Sequence, residues 1–464
     1  MPLKQLAGLR EFLTIWAGQL ISSIGSRMSS FALGIWILRT TGSTTHFAMT
    51  FVAMTVPALV VSMIAGALVD RWDRRQTMIA CGLFSAVTTF ALAGLAAAGH
   101  LKLWQIYLAV GVSSLFEAFR TPAFAASIPL LAARDQLPRV NGMAQSGNAI
   151  ADIIGPLLAG ALVSSISLHG ILTLDAMTFL IGVIALVVAR IPRPVSTARQ
   201  DRPGLLREAV VGWRYVHERP GLVGLLSIYG SNNFLFSIAR VGITPLLLSF
   251  STPAGVGMQY AISGSGLLLG GVAMTVWGGP RKRANGVLIS SALAGVCLAA
   301  HGLRPSFTLV VVAGFILFLT LPVIAASSSS LWQAKVPAGL QGRCFAMQRA
   351  VFYASTVLGY FLASPLYGRV FEPLLARGGP LAGSLGLIIG SGPGRGFGLM
   401  FITLGIVMTA VALVAYSVPE IRELDELAEE FSFTETAAPA GAGPQAEIAK
   451  DEKRLYALSQ EAQP

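Results

Sequence analysis

The feature that most limits this chain is a series of long apolar stretches, each about the length of a bilayer core, strung along nearly its whole length. About 20 mostly apolar residues span a membrane as a helix. Such stretches occupy 12–38, 47–69, 77–98, 103–119, 143–166, 170–190, 221–249, 257–279, 285–303, 306–331, 345–367 and 397–417. In lipid the backbone must satisfy its own hydrogen bonds, so each stretch reads as a helix. The expectation is an all-α membrane protein with twelve transmembrane helices. Composition agrees: 12% of the 464 residues are charged and 54% are hydrophobic, with a mean hydropathy of +0.68. Soluble domains carry about 25% charged residues, so a soluble enzyme and a disordered chain are both excluded. The first stretch exceeds the apolar region of a leader and has no small-residue cleavage site, so it is expected to persist as a helix.

Charge sets the orientation. Lys and Arg concentrate in the cytoplasmic loops of membrane proteins. With the N-terminus inside, the inner segments hold 20 of these residues and the outer segments 6. Both termini are therefore expected in the cytoplasm, in a plasma or inner membrane. The longest inner loop, 191–220, carries Leu205, Leu206, Ala209, Val210, Trp213 and Val216 at helical spacing, with Arg207, Glu208, Arg214 and Glu218 between them. This pattern predicts an amphipathic helix on the membrane surface. The expected organisation is a six-helix bundle over 1–190, this linker, a second bundle over 221–417 and an acidic tail over 418–464. The tail has eleven acids and four bases, a net of −7. The body is then +18, and the overall +11 reflects basic inner loops rather than a nucleic-acid partner. At the tail's start, Ile421, Leu424, Leu427 and Phe431 fall on one side of a helix. The three cysteines, Cys81, Cys297 and Cys344, are too few and too scattered for a disulfide framework or a metal site.

Two-bundle layouts of this kind are the usual plan of secondary transporters, and local motifs sharpen that reading. The loop after the second span reads Gly66-Ala67-Leu68-Val69-Asp70-Arg71-Trp72-Asp73-Arg74-Arg75, which resembles the G-x-L-a-D-R-x-x-R-R signature of the major facilitator superfamily. Asp73 stands where the superfamily often has Gly. In the fifth span Gly142, Gly155, Pro156 and Gly160 resemble the spaced glycine motif of drug antiporters, with Ala151 and Ala159 replacing two glycines. Val336-Pro337 through Gly342-Arg343-Cys344-Phe345 and the long outer loop Val370 to Gly396 are similar to the macrolide-efflux branch, whose relatives include the enterobactin exporter. The resemblance implies alternating access between two helix bundles, driven by the proton gradient, with small molecules, protons and the lipid bilayer as partners, no cofactor and a monomeric state.

It also implies roles for residues. Gly66, Asp70, Arg71, Arg74 and Arg75 would form an inner gate, Asp70 capping the start of the eleventh span and the basic residues meeting Glu117. A carboxylate at a helix N-terminus meets roughly half a positive charge. Charges within spans are costly and mark function. Among the acids, Asp152 leads as the proton-coupling candidate and Asp175 follows, a packing role for Asp175 being as well supported. Arg27 and Arg240, with Gln19, Asn232, Asn233, Gln348 and Arg349, are the substrate-cavity candidates. Arg27 has the alternative of a structural pair with Asp152, and Arg240 that of reaching the outer headgroups. Phe352, Tyr353 and Phe361 are candidate aromatic walls, and Ser327 to Ser330 a polar run. Gly390 to Gly396 lacks the strand and Lys of a phosphate loop, and no hydrolytic His motif or nucleotide domain is legible. The expected function is proton-coupled export of a small amphipathic molecule, a macrolide-like drug, a siderophore or a metabolite. The alternative is a phospholipid flippase of the same fold.

Overall fold

The computed structural model describes residues 3–69, 72–132, 136–189, 191, 213–392, 394–422 and 424. Among these residues the chain is helical, with no strand. Its long helices, numbered here in chain order, are α1 (Leu3–Thr41), α2 (Thr44–Val69), α3 (Arg74–Ala97), α4 (Leu103–Leu131), α5 (Leu137–Leu162), α6 (Leu168–Val188), α7 (Pro220–Leu248), α8 (Pro253–Trp277), α9 (Arg283–Leu303), α10 (Phe307–Lys335), α11 (Ala338–Pro365) and α12 (Arg395–Tyr416). They run antiparallel in sequence, so each tight turn lies on one of two sides. The side on which α1 begins is called near and the opposite side far.

Helix ends follow local chemistry. Pro opens α7 and α8 within the first turn, where its missing N–H costs nothing. Asp73 caps α3 by accepting from the Gln76 amide at 3.0 Å, which gives this Asp a use that Gly would not have. Gly42 (φ 61°) turns the chain from α1 into α2, and Gly278 (φ 77°) ends α8; both are left-handed positions that suit glycine.

The expected spans are present as helices, with one clear correction. The fourth was expected to end at residue 119, but α4 runs to Leu131, through Pro122 and Pro129, and buries Arg120 on the way. Arg120 is therefore a helix residue and not an inner-loop base. Ten of the helices are long and apolar enough to cross a membrane; α4 and α5 fall short because each carries a polar stripe. In α5 that stripe includes Asn141, Gln145, Asn148 and Asp152, all exposed.

Between helices in lipid, burying apolar surface gains little, and close packing of small residues does the work. Gly18 of α1 meets Gly182 and Ala185 of α6, and Gly302 of α9 meets Gly398 of α12. Near-side cores are separate. One, around Phe12, Ile15, Met78, Leu131 and Leu186, belongs to α1–α6. Another, around Leu222, Leu288, Leu331, Trp332 and Met347, belongs to the later helices. A third core joins residues of both groups, including Ile37, Phe47 and Ile106 with Leu246, Val256, Tyr360 and Phe397.

Most of the expected surface linker lies outside the described residues, at 192–212. Its end is a helical turn at 213–217. Val216 is buried there, and the Tyr215 hydroxyl donates to the Lys335 carbonyl at 2.9 Å. Burial holds the Tyr215 phenol above its usual range, against a smaller opposing pull from Arg219, so it stays a donor. Of the tail, Ile421 and Leu424 are buried against Gly221 and Gly224 of α7. Leu427, Phe431 and the acidic remainder lie outside the described residues.

Candidate functional site

The two helix groups touch at the far side. Thr45 and Ser364 hydroxyls are 2.6 Å apart, joining the far ends of α2 and α11. Gly160 of α5 abuts Pro253, Ala254 and Gly257 of α8, so the backbones cross with no side chain between them. Just below, Phe31 stands edge-on to Tyr260 (centroids 6.2 Å) and Phe51 leans on Tyr360 (5.2 Å). The two groups therefore meet at the far side, where a surface pocket lined by both, including Arg39, Ser43, Ser249 and Tyr367, lies above these contacts, and with the near-side cores separate they leave a cleft between them.

Charges line that cleft. Arg27 Nε lies 2.7 Å from Asp152 Oδ1, and the two side chains keep 43% and 51% of their surface exposed. Arg27 sits roughly 21 Å of helix from the far end of α1 and Asp152 roughly 15 Å from that of α5, at 1.5 Å per residue. Charged groups at that depth are costly against lipid, so their exposed surface is assigned to the cleft. Their helices approach because Gly155 faces the Arg27 Cβ and the Ile24 carbonyl, where a side chain would collide. The structural pair is thus present, and it faces the cleft as well.

Arg240 approaches from α7, roughly 12 Å from its far end. It is exposed, and it forms no ion pair or hydrogen bond among the described residues. Asp152, Tyr260 and Tyr360 are the titratable groups within its electrostatic reach. The Tyr260 hydroxyl is 3.2 Å from that of Thr244. Arg240, Tyr260 and Tyr360, with Phe31 and Phe51, therefore form the blind end of the cleft beneath the far seal.

A second polar group lies inside α1–α6. Arg120 donates to Glu117 at 2.8 Å on its own helix and to Gln19 of α1 at 2.7 Å. Glu117 also accepts from Thr121 at 3.2 Å. Gln19 is therefore committed to Arg120. Asp175 is 3% exposed and sits beside Thr178, Gly25, Ser26 and Ser29. It forms no ion pair among the described residues. Sequence reasoning missed Arg120; its i, i+3 spacing from Glu117 was the available signal.

The remaining expected residues separate. Asp70 and Arg71 lie outside the described residues, and Gly66 falls within α2. Arg74 donates to the Ala126 carbonyl at 2.7 Å. Arg75 donates to Leu186 and Val187 at 2.8 and 2.6 Å, satisfying carbonyls left open at the end of α6. Glu117 is thus bonded to Arg120 and not to Arg74 or Arg75 in this conformation. Asn232 is buried and donates to Ser291 at 3.0 Å, facing α9 rather than the cleft. Asn233 donates to the Tyr229 carbonyl at 3.0 Å. Gln348 is half-buried and Arg349 exposed, near Tyr229. Tyr229 also stacks loosely on Phe352, which meets Tyr353 edge-on. Phe361 is half-exposed. Gly155 and Gly160 sit at helix crossings, and the Pro156 carbonyl meets Gly257, but Gly142 faces open space.

On the far side, Glu372 accepts from the Gly394 and Gly396 amides at 3.0 Å each. It occupies the N–H groups that a phosphate would need at the start of α12. Arg395 is buried and donates to the Gly302 carbonyl at 2.9 Å. No cluster of His, Cys, Asp and Glu among the described residues could hold a metal, and all three cysteines are free and buried.

The Major Facilitator Superfamily profile matches residues 15–360. Macrolide efflux protein A of Streptococcus pyogenes is 27% identical over 421 residues, covering 89% of this chain and 97% of that protein. Multidrug efflux pump Tap of Mycolicibacterium fortuitum is 24% identical over 425 residues, again 89% and 97%. Among solved structures, a bacterial homologue of the human lysosomal transporter Spinster, in an inward-facing and unoccupied conformation, superposes with a TM-score of 0.65 over 91% of this chain and 98% of that one, at 15% identity. That likeness concerns the fold.

Proposed function

The chain belongs to the Major Facilitator Superfamily, and from that premise we propose that this membrane transporter exports a small amphipathic molecule in exchange for protons. It is a multi-pass membrane protein and not an enzyme. The near side is proposed to be cytoplasmic, following the Lys and Arg bias of the loops. The single observation that carries the alternating-access reading is the asymmetry of the contacts between the halves: hydroxyl, glycine and aromatic contacts join the far side while the near-side cores stay apart. A cleft open to the cytoplasm is the loading state of an exporter and the release state of an importer; export is the direction proposed. The efflux named in the relatives favours the same direction.

Coupling needs two proton states that favour different arrangements of the halves. Asp152 meets that need. Ionised, it holds Arg27 at 2.7 Å and attracts Arg240 on the opposite half. Protonated, it releases both attractions, one within the first half and one across the cleft. Asp175 is the second candidate, buried between α1 and α6. Asp70 and the basic residues after it are proposed as the gate that closes the near side in the other state.

The test is uptake into inverted membrane vesicles of a panel of amphipathic antibiotics and dyes, erythromycin among them, with an imposed pH gradient. Uptake that collapses on adding a protonophore is expected. Uptake indifferent to the gradient would remove proton exchange, and no uptake of any compound would remove the export reading.

A further inference from the structure

The long helices of the second half, α7 to α12, contain no acid. Between Glu218 and Glu372 there is no Asp or Glu, while Arg219, Arg240, Arg281, Lys282, Arg283, Arg304, Lys335, Arg343, Arg349 and Arg369 fall in that interval. Most of these bases lie near helix ends. Arg240 does not: it is within α7, at the blind end of the cleft.

A guanidinium in a membrane helix is costly unless it is paired or faces water. Of the cleft's charges on the first half, Asp152 is taken by Arg27 at 2.7 Å and Glu117 by Arg120 at 2.6 Å. Asp152 also lies within electrostatic reach of Arg240 but makes no ion pair with it, so one carboxylate stands against two guanidinium groups. Its other neighbours, Tyr260 and Tyr360, are neutral hydroxyl-bearing rings, with Phe31 and Phe51 packed against them. The result is one exposed guanidinium with its donors unused, near Tyr260 and Tyr360, whose rings pack on Phe31 and Phe51 of the first half.

We infer that Arg240 is the anchor for an acidic group on the transported molecule, and that the cargo is an aromatic or amphipathic anion carrying a carboxylate, sulfonate, phosphate or acidic phenol. An amphipathic cation would meet two guanidinium groups, Arg27 and Arg240, with Asp152 as their one shared carboxylate. Arginine suits this task because its planar fork binds two oxygens of such a group at once. The rings supply apolar faces for the remainder of the molecule. Because the anchor and the rings come from both halves, the bound anion would touch the surfaces that separate when the far seal opens. The inference rests on the transporter reading and adds the charge class of its cargo.

Fluorescein and rhodamine 123 are suitable probes, since they share a xanthene frame and carry opposite charge. Binding to the purified protein in detergent is read from the dye-dependent rise in melting temperature and from dye anisotropy. Wild type is expected to bind fluorescein at least tenfold more tightly than rhodamine 123. Arg240→Gln should weaken fluorescein binding about tenfold to a hundredfold, the loss expected for one charge-assisted hydrogen-bonded contact. Arg240→Lys should keep part of it. Wild-type protein that binds rhodamine 123 as well as fluorescein, or shows no preference because neither binds, overturns the inference. So does Arg240→Gln protein that melts normally and retains the fluorescein preference. Transport in vesicles separates the two readings. Fluorescein binding without movement leaves the anion site standing and removes export; movement of rhodamine 123 but not fluorescein leaves export standing and removes the anion site.

Discussion

The far seal rests on a crossing of two backbones, and Gly160→Ala should open it. A Cβ at Gly160 would lie 2.7 Å from the Pro253 carbonyl oxygen, 3.2 Å from the Gly257 Cα and 3.3 Å from the Ala254 Cα. Ordinary carbon–oxygen contact begins near 3.4 Å, so α5 and α8 must part by roughly 0.7 Å at this point. The obstacle is backbone, which cannot swing aside as a side chain can. Overpacking of this kind costs about 1–3 kcal/mol. The cost applies only to the far-closed state, because the two helices separate there when the far side opens. The ratio of far-closed to far-open protein should then fall by about 5-fold to 150-fold. The assay uses a second feature of the seal: the Thr45 and Ser364 hydroxyls, 2.6 Å apart, mark a pair close enough for a disulfide. Thr45→Cys with Ser364→Cys should cross-link readily in the otherwise unchanged chain, whose native cysteines are buried. Adding Gly160→Ala should slow cross-linking and admit a membrane-impermeant thiol reagent from outside the cell. Unchanged cross-linking with Gly160→Ala would refute the argument, since the crossing would then not hold the seal. Gly257→Ala, whose Cβ would run into the Pro156 carbonyl from the other side, should act alike.

Three further outcomes follow from the polar groups. Asp152→Asn should leave cargo binding in place but make vesicle uptake independent of the pH gradient, whereas Asp175→Asn should do so only if the proton resides at α6; the pair of gradient dependences identifies the carrier. Arg120→Gln should lower the melting temperature by the equivalent of about 1–3 kcal/mol, because Gln19 and Glu117 lose a shared donor and Glu117 is only half-buried. Glu372→Ala removes the acceptor for two amides at the start of α12 and should cost about 1–2 kcal/mol, measured by thermal unfolding in detergent, with Glu372→Gln losing less.

The fold was legible in the sequence because a bilayer imposes one rule on every span, and length with hydropathy reads that rule directly. Legibility failed where a span breaks the rule. The stretch at 103–119 stopped at Arg120 because a charge ends an apolar run on paper. In the molecule the helix continues to Leu131, because Glu117 and Gln19 satisfy that charge from within. Pairing across 101 residues of sequence leaves no periodic trace. Asn232 fails in the opposite sense. It was placed in the cleft because it lies on the same helix as Arg240, yet the helix turns it toward Ser291. A span's polarity says that something polar is nearby, not on which side it lies.

The Arg27–Asp152 pair shows why the site was harder to read than the fold. Pairing and cavity lining were rival readings in sequence, since an arginine satisfied by a carboxylate seems to need no cargo. The structure has both at once: a 2.7 Å contact with about half of each side chain still open to the cleft. That combination matters for mechanism. A fully buried pair would be too costly to break in a working cycle, and a fully solvated one would be screened and too weak to bias two states. A half-open pair, beside an unpaired Arg240 on the other half, sits between these limits. Under the proposed coupling, a proton on Asp152 would change the attraction within one bundle and the attraction between bundles in a single step. In the proposed cycle the residues at 70–75 would close the near side, and the charges in the middle of the cleft would set when it closes.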